Sequence, residues 1–146
     1  MKPRQPSAKE HLAQAEHNYF WAKNFCSLKA PNGQKTPFDW AATVSYYSAI
    51  HFFQYFLRKH TPVVGWKNKK HQIDSITEFQ VKFEYEWSKH SIYEQIISNN
   101  YPESMTAWKH LFHTAHNARY NAQEVEILKA RLSIAYLDEI KKKFGK

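Results

Sequence analysis

The stretch DWAATVSYYSAIHFFQYFLRK, residues 39–59, decides the fold class. Asp39, just after Pro37, offers a side-chain oxygen to the first free amides of a helix and reads as its N-cap. Tyr46, Ala49, Ile50, Phe53 and Leu57 recur at helical spacing on one face, and Trp40, Val44, Tyr47, His51 and Tyr55 on a second. A helix that is apolar nearly all round belongs at the centre of a bundle. Ser45, Ser48, His51 and Gln54 interrupt it, so it reads as a core helix and not as a membrane span. It should run to about Lys59 and stop before Pro62.

Helical patterns continue on both sides. Upstream, Ser7-Ala8-Lys9-Glu10 is a capping box, followed by Leu12, Ala15, Tyr19, Ala22 and Cys26 on one face until Ala30-Pro31-Asn32-Gly33 ends the helix. Downstream, His60 to Lys70 reads as a basic linker. Ile73, Ile76, Phe79, Phe83 and Trp87 then form the stripe of a third helix. Lys89 to Asn99 either extends it or makes a short separate helix. Met105, Trp108, Leu111, Ala115 and Ala118 mark a fourth helix after Asn100-Tyr101-Pro102-Glu103. The fifth follows a cap pattern from Asn121 to Glu124 and has two apolar faces. Val125, Leu128, Leu132 and Ala135 lie on one, and Ile127, Ala130, Ile134 and Leu137 on the other. One face suffices for the core. The second is left for a dimer surface or for packing on the first helix.

The periodicity and the three glycines point to an all-α chain. Its 146 residues make one domain over 1–146, with 1–6 and 142–146 as flexible tails. The single cysteine, Cys26, excludes a disulfide scaffold. With no apolar run after MKPRQPSAKE, no signal peptide is expected, and the expected compartment is the cytoplasm. The formal charge of +8 favours an anionic partner such as RNA or a nucleotide. No glycine-rich phosphate loop or Gly-x-Ser-x-Gly elbow is present, so the common ATPase, dehydrogenase and hydrolase motifs are not supported.

Trp40-Ala41 followed by Tyr46-Tyr47-Ser48-Ala49-Ile50-His51 resembles the Trp-Ala…Tyr-Tyr-Ala-Ala-x-His signature of HEPN-like helical proteins. Lys70-His71 stands where those proteins often carry Ser-His. Trp108-x-x-Leu111 with Ala118-Arg119-Tyr120 resembles their Tyr-x-x-Leu…Ala-Arg-Tyr ending. The resemblance covers roughly residues 8 to 140 and implies an up-and-down bundle of four to five helices that forms a homodimer. Members of the family include metal-independent RNases of toxin–antitoxin and defence systems, partners of minimal nucleotidyltransferases, and non-catalytic binding modules. The nuclease members carry Arg, four to six residues, then His. Here the only formal match is Arg4 with His11; Arg58, Arg119 and Arg131 have no histidine at that spacing, and Asp74 stands where an arginine usually follows the Ser-His position.

Several residues carry possible chemistry. His116 and Arg119 are three apart and share a helix face. A neutral imidazole there takes the 2′-hydroxyl proton of RNA while the guanidinium stabilises the phosphorane. Against this stands a structural arginine beside a solvated histidine. His51 is either a half-buried histidine bonded to a neighbour or, with Tyr47 and Tyr120, part of a groove. Lys67, Lys69, Lys70 and His71 offer phosphate contacts in the linker. Arg58-Lys59-His60 and Lys141-Lys142-Lys143 either extend that surface or complement helix C-termini. His110, His113 and His116 cannot all converge on one ion from one straight helix, so no metal and no cofactor is expected. Cys26 reads as a small buried residue.

The leading expectation is an RNA- or nucleotide-binding domain without strong catalysis. A metal-independent endoribonuclease using His116 and Arg119 is the alternative. So is a protein-interaction module whose spare fifth-helix face docks a nucleotidyltransferase or an antitoxin.

Overall fold

The computed structural model describes residues 4–66, 68–83, 88–120 and 125–146. Among them are six helices and one hairpin: α1 (Ala8–Ser27), α2 (Phe38–His60), β1 (Val63–Trp66), β2 (Lys69–Gln72), α3 (Ile76–Phe83), α4 (Lys89–Asn100), α5 (Met105–Tyr120) and α6 (Ile127–Phe144). The chain is mostly helical.

At the start of α1, Ser7 Oγ accepts from the Glu10 amide at 3.1 Å, as the capping box requires. The inward face carries small residues, and Ala15, Ala22, Ala42 and Ala49 are fully buried. They let α1 approach α2 closely enough for Ser48 Oγ to donate to the Ala15 carbonyl at 2.8 Å. Asp39 is not the cap of α2. The cap position is Pro37, which makes no side-chain bond, and Asp39 lies in the first turn, where its charge still complements the helix dipole. The helix ends at Thr61 in the left-handed region (φ 42), its amide returning to the Leu57 carbonyl. Pro62 then prevents continuation.

The second face of α2 is only partly covered: Tyr55 is buried, but Trp40 is 59% exposed. The basic segment after α2 is a hairpin rather than a plain linker, with Val63 opposite Gln72 and Trp66 opposite Lys69. Val64 and Trp66 point inward and Val63 outward, the alternation of a half-buried strand. Ile73 precedes α3 instead of belonging to it; Trp87 lies outside the described residues, as do Lys67 and the cap pattern from Asn121 to Glu124. The segment after residue 88 is a separate helix, α4, capped by Ser88 Oγ on the Ser91 amide. Its far end is fixed to the hairpin, since Asn100 Oδ1 accepts from the Gly65 amide at 2.8 Å.

Side-chain pairings fix the direction of each long helix. His11 meets His51 and Ala15 meets Ser48, so α1 and α2 are antiparallel. Phe53 packs on Trp108 and Arg119 reaches Tyr47, so α2 and α5 are antiparallel. His110 meets Ser133, and Ala118 packs with Val125 and Ala130, so α5 and α6 run against each other. These four helices alternate in direction; the hairpin, α3 and α4 form the connection between α2 and α5. The aromatic excess is mainly core. The Phe53 ring meets Tyr93, Tyr101, Trp108 and Phe144 edge-on. The expected tail over 142–146 is corrected by the same packing, because α6 runs to a fully buried Phe144 and Lys143 pairs with Glu103.

Candidate functional site

Along α5, Phe112, His116 and Arg119 stand at i, i+4 and i+7 and share one face. Opposite them α2 presents Tyr46 and Tyr47, and the first turn of α4 presents His90. With Ala115 these residues line a hollow of about 130 Å³. Phe112 holds the wall together, its ring 5.5 Å from Tyr46, 5.4 Å from His90 and 5.5 Å from His116. Arg119 donates to the Tyr47 hydroxyl, and its guanidinium carbon lies 5.5 Å from the centre of that ring. A second hollow of about 280 Å³ adjoins the first through His90, Phe112 and His116, and is completed by Ser88, Ser91 and Glu94.

Burial, then the nearby His116 and Arg119, hold His90 below the ordinary imidazole range, so it is neutral at neutral pH. Its Nδ1 is 2.7 Å from the Tyr46 hydroxyl. Burial first, then Tyr93, Tyr47 and Glu94, keep that phenol far above its usual range, so it never ionises under ordinary conditions. One nitrogen of His90 is thus occupied inside the protein, and the ring faces the hollow with a guanidinium beside it. Such a set can bind an oxyanion and exchange a proton with it.

Of the residues read from the sequence, Tyr47, His116 and Arg119 come together here. His51 does not line this hollow. Its Nδ1 is 3.1 Å from Nδ1 of His11, between α1 and α2. Tyr120 ends α5, with its side chain outside the described residues. Lys69, Lys70 and His71 lie on β2, which pairs with β1; it is β1 that is tied to the C-terminal end of α4 through Gly65 and Asn100, while His90 is at the other end of that helix. Lys67 is outside the described residues.

Arg58 is taken by Asp74 at 3.1 Å and by the Pro6 carbonyl. Lys141 is paired with Glu16 at 3.1 Å. His110, His113 and His116 diverge: His110 bonds Ser133, His113 is exposed and His116 lines the hollow. Among the described residues no three His, Cys, Asp or Glu side chains are grouped to hold a metal. Cys26 is half-buried, and burial raises its pKa.

His90 and Tyr46 were missed as site residues. Tyr46 read as core, which it also is. His90 follows Ser88 at the start of a segment whose helical state the pattern left open, and only the pairing of α4 with α5 brings it to His116.

No protein-family model, curated protein or solved structure matches this chain. Among the described residues no helix is long and apolar enough to cross a membrane.

Proposed function

We propose that the chain is a HEPN-like, homodimeric, cytoplasmic domain that binds RNA or a nucleotide through phosphate at the hollow between α2, α4 and α5. One observation carries this reading: Arg119, His116, His90 and Tyr47 converge on a single cavity from three helices. Guanidinium and imidazole donors with a phenol make a phosphate site, and the charge of +8 draws a polyanion towards it. Homodimerisation fits the outer face of α6, where Leu128 is 70% and Leu132 43% exposed. The same face would serve a nucleotidyltransferase or antitoxin partner if the domain is an interaction module.

A second reading, metal-independent cleavage of RNA, is favoured by the pairing of two imidazoles in one site. Neutral His90 takes the 2′-hydroxyl proton, the 2′-oxygen attacks phosphorus and the P–O5′ bond breaks. His116 gives a proton to the departing 5′-oxygen while Arg119 holds the phosphorane charge. The products are a 2′,3′-cyclic phosphate and a 5′-hydroxyl.

Labelled single-stranded and structured RNA, incubated with the protein in EDTA beside an Arg119→Ala control, tests both readings. Retention that weakens steeply between about 50 and 200 mM salt and is lost in the variant supports binding. EDTA-resistant cutting lost in the variant supports the nuclease. Neither cutting nor retention would refute the phosphate site and leave the interaction module.

A further inference from the structure

The larger hollow differs in chemistry from the cavity at Arg119. Its distinctive group is the Glu94 carboxylate, one helical turn after His90 on α4, about 6 Å along the axis. Glu94 is half-buried, and among the described residues it makes no ion pair or hydrogen bond. A carboxylate drawn out of water is normally compensated by a cation or by donors. In a chain with 21 Lys and Arg against 13 Asp and Glu, a half-buried carboxylate without a cation stands out. Its neighbours in the hollow are Ser88, Ser91 and the aromatic side chain of Phe112.

A ligand suited to these walls is planar, stacks on an aromatic ring and presents N–H donors to a carboxylate, which can only accept. It must also be continuous with a phosphate, because His90, Phe112 and His116 line both hollows. Among nucleobases only guanine places two donors side by side, N1–H and the N2 amino group. Adenine, cytosine and uracil each set an acceptor next to the donor on that edge, opposite a carboxylate oxygen.

We infer that the larger hollow is a base pocket selective for guanine, in which Glu94 accepts from N1–H and N2–H of a guanine nucleotide stacked on Phe112. The inference rests on the reading of the adjoining cavity as the phosphate site. Glu94 is thereby the specificity-determining residue, and Arg119 with His116 supplies affinity common to all nucleotides.

Calorimetric titration of the wild-type protein with GMP, AMP and CMP, repeated on E94Q and R119A, tests it. A bidentate contact discriminates at least about fivefold, so GMP should bind at least that much tighter than AMP or CMP. E94Q replaces one acceptor by a donor, a pattern that fits the N1 and N6 edge of adenine. It should bring the GMP-to-AMP preference to one or below, with an unchanged circular-dichroism spectrum. R119A should weaken all three nucleotides. Equal wild-type affinities, or a GMP preference that survives E94Q, would overturn the base pocket and leave the phosphate site standing. No binding of any nucleotide would overturn both.

Discussion

Two pairs of histidines in this molecule sit in different surroundings. Between α1 and α2, His11 and His51 meet Nδ1 to Nδ1 at 3.1 Å, their ring centres 5.3 Å apart. Between α4 and α5, His90 and His116 face each other across a hollow, with Tyr46, Tyr47 and Arg119 around them. In the first pair one ring must donate and the other accept, so the contact satisfies itself and needs one of the two nitrogens unprotonated. His11 is only 8% exposed. In the second pair the Nδ1 bond of His90 goes to a phenol, and both residues are exposed and line the hollow. The two pairs differ in what surrounds the rings: His11 and His51 meet between two helices, whereas His90 and His116 line a hollow. Residue type does not distinguish the pairs but exposure does, His11 being buried and His51 half-buried while His90 and His116 are exposed.

The largest effect expected from this difference is on acid stability. Burial, then His51 and Arg58, push His11 down to about 4 against the nearby Glu10, and burial lowers His51 as well. The unfolded chain therefore binds more protons than the folded one between roughly pH 6.5 and 4. Stability is full above that window and falls with pH through it, by about 3 kcal/mol for His11. Urea denaturation from pH 7.5 to 4.5 should show this loss, and His11→Asn, which keeps a bonding group at Nδ1 but cannot titrate, should flatten it. A wild-type curve with no acid limb would break the comparison from the structural side.

Next in size is the loss of phosphate binding. Arg119→Ala should weaken an RNA oligonucleotide by about 10- to 100-fold, the range of a charge-assisted hydrogen bond, while His51→Gln leaves its affinity within about twofold of wild type. Equal losses in the two variants, measured by fluorescence anisotropy, would place both histidine pairs in one function. Tyr46→Phe sharpens the contrast, since it removes the partner of His90 and nothing at His51. It should cost about 1 kcal/mol of stability and weaken RNA by several-fold. The smallest effect is expected at the far end of α4. Lys69→Ala and Lys70→Ala are exposed changes on β2 and should alter stability by less than about 0.5 kcal/mol. They should reduce RNA affinity only at low salt.

The helices were legible because their apolar faces are long: α1, α2, α5 and α6 each carry several turns of periodic residues. The hairpin was not, because Val63 to Trp66 gives a period of two over only four residues, too short to compete with the lysines that follow. Asp39 misled as a cap because its type is right and only the backbone at Pro37 decides the start. In the site, the i, i+3 spacing of His116 and Arg119 needs no fold to be seen, and Tyr47 was named with His51 and Tyr120. His90 contacts Tyr46 across 44 positions of sequence, a pairing that no local pattern encodes. The same applies to His51, whose partner His11 is 40 positions away.

Following the imidazole resonances of the ¹⁵N-labelled protein while an RNA oligonucleotide is added separates a histidine pair that meets ligand from one that only holds helices together. Saturable shifts are expected at His90 and His116, with His11 and His51 unmoved. Shifts at His11 and His51, or none at His90 and His116 at saturation, would contradict this expectation.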